Sequence, residues 1–279
     1  AGFYLVPIPE APCVLLNILS FLSLFSFSVY ISKRINALPL WLILSWVMLL
    51  TWPMDYGTRV VNPSYVLIFA IPFFIALLEL LPIYKTPVIS RNAAYFILGV
   101  TPGLIMQLHL SYVLLLPLIA LVFFFEWKAD RAWRNKIYYA CLCMSGFLIG
   151  ILTLIPTYLM ASNGKSISSN IVFNAGNFKN ILSVLTRYLS YGSFEVPYIL
   201  GNRSAKRLEV IQSNIWSVPF TIYLFLFGSL LIAAFVFVFF KNKSTGEWKK
   251  IKSLTLLVYL LIFISFFFSV TGPASHTFF

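Results

Sequence analysis

Gln107, His109 and Ser111 stand two residues apart in the run Gly99 to Pro117, GVTPGLIMQLHLSYVLLLP, whose other members are almost all apolar. An imidazole can move a proton or steady a developing negative charge near neutral pH, and an amide beside it can donate to an anionic oxygen. Left unpartnered in hydrocarbon, each polar group would cost on the order of a few kcal/mol, so this point must reach a membrane surface or line a wet cavity.

Other groups join this set. The stretch Met54 to Pro63, MDYGTRVVNP, holds Asp55, Arg59 and Asn62, and Asp55 and Arg59 either pair across a surface turn or contribute an acid and a phosphate-binding cation. Arg203, Lys206 and Arg207 form a small basic cluster, read either as a solvated or headgroup-facing surface or as a ligand-phosphate site. Ser275, His276 and Thr277 lie near the end of the sequence, and Glu10 near its start. An acid, two imidazoles and several cations facing one cavity suit transfer chemistry on an anionic lipid phosphate. The cations would hold the leaving phosphate while an acid or imidazole deprotonates the acceptor. A divalent metal on Asp55, His109 and His276 has no ligand spacing behind it, and no cofactor is implied. Phosphate loop, GxSxG elbow, HExxH and dinucleotide fingerprint are all missing from the sequence.

The elements that must position these groups are membrane helices. In 279 residues, 60% are hydrophobic and 10% charged, with a mean hydropathy of +0.91, far from a soluble domain. The expected fold is all-α, a polytopic transmembrane bundle forming a single domain over 1–279. The net charge of +12 does not point to nucleic acid, because the basic residues sit in short clusters between apolar spans. Cys13, Cys141 and Cys143 all fall in apolar segments and read as small core hydrophobes, with Cys141 and Cys143 pointing in different directions.

Eight spans are expected, at 11–32, 37–53, 63–81, 92–107, 110–126, 137–160, 216–240 and 253–271. One set of alternate loops holds thirteen Lys and Arg residues and the other set of short loops only Arg59, which places the first set in the cytoplasm. Residues 1–10, 54–62, 161–215 and 272–279 are then outside, and 33–36, 82–91, 127–136 and 241–252 inside. An outside start is most simply explained by a preceding helix, so the expectation is a fragment of a longer parent whose second helix is 11–32.

Glu79 is read as the one acid within a span, snorkelling toward Lys85. The His109 region becomes a tight outer turn between antiparallel helices, with Gly99, Pro102 and Gly103 permitting a kink or close helix approach. In the long outer segment 161–215, Phe178, Ile181, Leu182, Leu185, Tyr188 and Leu189 recur at helical spacing. They predict an amphipathic helix on the outer leaflet, with Ile181, Leu185 and Tyr188 against lipid or the bundle.

This pattern resembles the GT-C superfamily of polyprenyl-phosphate-dependent glycosyltransferases, in particular the branch of protein O-mannosyltransferases and the lipid A aminoarabinose transferase. The loop Arg59-Val60-Val61-Asn62-Pro63 looks like the outer loop before that family's fourth helix. The Gly99 to Pro117 hairpin looks like its fifth and sixth helices, and 161–215 falls where it has a long outer loop. The family's usual catalytic Asp lies in the first outer loop, whereas residues 1–10 contain none, and Asp55 is the nearest acid. The resemblance implies transfer of a sugar from a polyprenyl-phosphate donor to a lipid, glycan or protein acceptor outside a bacterial plasma membrane. Asp55 and His109 would then be the catalytic candidates, with Arg59, Asn62, Gln107, Arg203, Lys206 and His276 binding substrate. Rival readings are an O-antigen polymerase or ligase, with a long arginine-bearing outer loop, and a lipid or oligosaccharide flippase or transporter, which should show internal repeats.

Overall fold

Helices follow directly from the apolar runs, and their ends fall where charge, proline or a capping side chain interrupts them. A computed structural model describes residues 10–36, 38–49, 65–155, 173–190, 193–195, 204–241 and 246–268, and among these every regular element is helical. The chain divides into two compact units, Ala1–Leu49 with Pro53–Lys165 and Leu50–Trp52 with Ser166–Phe279.

In the first unit, α1 (Ala11–Arg34) opens with Pro12 in its first turn, where a missing N–H costs nothing. It closes on Lys33 and Arg34, which favour the negative end of the helix dipole. Then come α2 (Leu40–Leu49), α3 (Val66–Leu80) and α4 (Arg91–Leu108), whose N-terminus is capped by Ser90 Oγ accepting from Ala93 N at 3.3 Å. A 3₁₀ turn (Leu110–Leu115) leads into α5 (Leu116–Lys128), and α6 (Trp133–Ile151) follows. Helix α1 packs on α2 and α3, α3 on α4, and α4 on α6. Leu24, Ile43, Val47 and Ile71 form a core between α1, α2 and α3, and Ser23 Oγ donates to Ile68 O at 3.1 Å across the α1–α3 contact. Buried hydroxyls hydrogen-bonded in this way avoid the cost of desolvation.

The α4–α6 interface is the largest between helices among the described residues, and glycine makes it possible. Gly99 and Gly103 on α4 face Gly146 and Gly150 on α6. A Cβ on Gly103 would stand 2.9 Å from Phe147 O and 3.0 Å from Gly150 Cα, and one on Gly150 would stand 2.6 Å from Val100 O. Two small-xxx-small motifs thus interlock backbone to backbone, a close approach that suits helices in lipid, where dispersion replaces the hydrophobic drive. Cys143 is buried beneath Gly99 as expected of a core hydrophobe, whereas Cys141, expected in the core too, is exposed, because two residues along a helix turn it to another face.

In the second unit a 3₁₀ turn at Ala175–Asn180 leads into α7 (Ile181–Leu189), another lies at Ser193–Glu195, and α8 (Ser204–Ser213), α9 (Ser217–Lys241) and α10 (Glu247–Phe267) follow. Phe194 stacks on Phe225 at 4.8 Å over Gly228, and Asn174 N donates to Phe267 O at 2.6 Å. The amphipathic reading of 178–189 is met by a helix over 181–189 that touches α9, with Ile181 and Leu185 half-buried and Leu182 exposed.

Among the described residues, three helical stretches are long and apolar enough to cross a membrane: Ala11–Arg34, Ser111–Lys128 and Ser217–Lys241. At 1.5 Å per residue the last is about 37 Å long, more than the hydrocarbon core of a bilayer. Only 6% of its most apolar window is buried in the protein, so its surface calls for lipid or other apolar partners rather than water. The chain is a helical protein with membrane-spanning potential. Eight spans were expected; the described parts of those segments are largely helical, and three of the helical stretches have the length and hydropathy to cross.

Candidate functional site

The two ends of α4 differ in kind. Arg91 begins it and Gln107 stands 16 residues on, about 24 Å away along the axis.

At the far end, Gln107 Nε2 donates to Gly150 O on α6. Gly150 lies in the last turn of α6, just before a 3₁₀ turn at Leu152–Leu154, and the amide clamps the crossing there. His109 ends α4 in an extended conformation, its N–H donating to Ile105 O at 2.8 Å. Its Nδ1 accepts from Ser111 N at 3.1 Å, capping the 3₁₀ turn that follows. With Nδ1 engaged as acceptor, the neutral ring carries its proton on Nε2. In that tautomer His109 donates a hydrogen bond through Nε2 and does not serve as the base that the sequence also allowed. Ser111 Oγ is buried and has no hydrogen-bond partner among the described residues. Asp55, Arg59, Asn62, Arg203 and His276 lie outside the described residues, and Lys206 falls in α8. The structure thus brings Gln107, His109 and Ser111 to one helix end and gives the first two a structural task as well. Among the described residues, no three His, Cys, Asp or Glu side chains gather as a metal site.

At the Arg91 end stands a pair of matching triads that sequence reading missed. Glu79, with its side chain 1% exposed, accepts from Arg34 Nη2 and from Tyr30 OH at 2.7 Å. Its other oxygen accepts from Val88 N at 2.8 Å. Arg34 also donates from Nη1 to Thr86 O at 2.8 Å and lies 3.9 Å over the Tyr84 ring. Glu126, 2% exposed, accepts from Arg91 Nη2 and from Tyr95 OH at 2.9 Å, with Arg131 Nε 3.6 Å from its second oxygen. Tyr95 stacks on Tyr139 at 4.6 Å beside Arg91. In each case Tyr and Arg are four apart on one helix and the Glu comes from another. Glu79 does not snorkel to Lys85 as expected: a buried carboxylate with three donors around it is better satisfied than one reaching for an exposed ammonium. Glu126, at the edge of its expected span, is the second such acid. The i, i+4 spacing of Tyr30 with Arg34 and of Arg91 with Tyr95 was the available signal.

Between these triads lies a cleft of about 290 Å³ lined by Glu79, Tyr84, Lys85, Thr86, Pro87, Ile89, Arg91 and Arg131. No protein-family model, curated protein or solved structure matches this chain.

Proposed function

We propose that this chain is a membrane glycosyltransferase of the GT-C kind, moving a sugar from a polyprenyl-phosphate donor to an acceptor at the outer face of a bacterial plasma membrane. In this reading the eight apolar segments all span, and the triads at the Arg91 end mark the cytoplasmic side. The Gln107 and His109 end then faces outward, on the side of the membrane to which the charge pattern assigns the segment with Asp55, Arg59 and Asn62. The observation that carries the proposal is the His109 ring at the end of an apolar helix, its Nδ1 accepting from Ser111 N. That arrangement suits a donor to a phosphate or leaving-group oxygen, with Asp55 as the base. Gln107 holds the helix end in place through Gly150.

The test is transfer of labelled sugar from a panel of polyprenyl-phosphate donors by the full-length protein in native membranes. His109→Ala should lower transfer by roughly a hundredfold at unchanged protein level, the effect of a lost charge-stabilising donor, while His109→Gln retains part of it. Normal transfer by His109→Ala, or no transfer from any such donor by the unaltered protein, would overturn the reading.

A further inference from the structure

The cleft at the Arg91 end has a charge imbalance that the triads do not remove. Glu79 is matched by Arg34, and Glu126 by Arg91, so Arg131 and Lys85 remain in excess, two positive charges on one small cavity. Arg131 approaches Glu126 only through Nε, and Lys85 has no ion pair or hydrogen bond among the described residues. Arg91 Nε is buried with no hydrogen-bond partner among the described residues. The N-terminal end of α4, the positive end of an 18-residue helix, opens on the same space through Ile89 and Arg91. Asp130, the nearest remaining acid in sequence, does not line it. Tyr84, Pro87 and Ile89 give the cleft apolar walls, and its volume of about 290 Å³ is at the small end of ligand sites, the scale of a headgroup rather than a whole lipid.

We infer that this cleft binds a phosphate ester anion, held by Lys85, Arg91 and Arg131. Planar guanidinium groups match phosphate oxygens bidentately, and Lys85 adds a mobile point charge at the exposed rim. An anionic phospholipid headgroup and a soluble phosphate ester share this chemistry. The inference is independent of the transferase reading, since it concerns the other end of α4.

The test compares the intact chain with the double variant Lys85→Ala/Arg131→Gln, which leaves the Arg91–Glu126 pair in place. A second variant, Lys249→Ala/Lys250→Ala, removes two exposed charges elsewhere. Phosphatidylglycerol binding is read by native mass spectrometry from nanodiscs of phosphatidylglycerol in phosphatidylcholine. Inorganic phosphate binding is read by thermal shift in phosphatidylcholine alone. Retained phosphatidylglycerol, weakened by at least about tenfold in the cleft variant and unchanged in the distal one, supports a lipid headgroup. A phosphate-dependent shift lost only in the cleft variant, without a lipid preference, supports a soluble ester. If the cleft variant binds both probes as the intact chain does, or the distal variant loses as much, the inference is overturned.

Discussion

Gly99→Ala tests the α4–α6 crossing by the sign of its effect. A Cβ on Gly99 would fall 2.8 Å from the carbonyl carbon of Cys143 and 3.1 Å from its Cα, and closer still to the carbonyl oxygen. These are backbone atoms and cannot rotate away, so the helices must separate by roughly 1 Å to restore van der Waals distance. Alanine for glycine within a helix is by itself stabilising by about 1 kcal/mol. Overpacking opposes it by about 1–3 kcal/mol. Separation also stretches the Gln107 to Gly150 hydrogen bond, a further loss of about 1 kcal/mol. The balance is a net destabilisation of about 1–3 kcal/mol, against the direction of helix propensity. Unfolding of the purified protein in mild detergent, by heat or by added dodecyl sulfate, reads the difference. Leu148→Ala, on the exposed face of α6, should stay within about 0.5 kcal/mol of the parent. A Gly99→Ala protein as stable as the parent, or more so, would show that the helices do not approach this closely.

Gln107→Leu should cost about 1–2 kcal/mol in the same assay by leaving Gly150 O without its donor, and Gln107→Glu should cost more because a carboxylate would face that carbonyl. Glu79→Gln leaves the buried Arg34 without its counter-ion and should cost about 3–5 kcal/mol, and adding Arg34→Met should restore part of the loss. Independent, additive effects of those two substitutions would refute the triad as a unit.

Helix positions were legible because their signal is local: an apolar run closed by charge or proline leaves little choice of element, and α1, α4 and α9 fall within a few residues of expectation. Gly99 and Gly103 pointed to a close approach, but not to its partners, because Gly146 and Gly150 are far along the chain and only packing pairs them. The same holds for the polar groups. Gln107 and His109 were conspicuous as polar residues in an apolar run, yet their hydrogen bonds go to Gly150 and Ser111, one distant and one adjacent. Glu79 was assigned to Lys85 because Lys85 is near in sequence, whereas Arg34, 45 residues away, reaches it across the α1–α3 contact. Burial decides such pairings, and burial is not written in spacing.

The role proposed for the Gln107 and His109 end requires that end of α4 to face outward, and single-cysteine labelling answers that directly. In a background with Cys13, Cys141 and Cys143 replaced by alanine, Lys165→Cys, Lys85→Cys and Lys250→Cys are exposed to a membrane-impermeant maleimide on intact cells, then again after permeabilisation. The account predicts labelling at position 165 on intact cells and at 85 and 250 only after permeabilisation. Labelling at 85 or 250 with protection at 165 would contradict it.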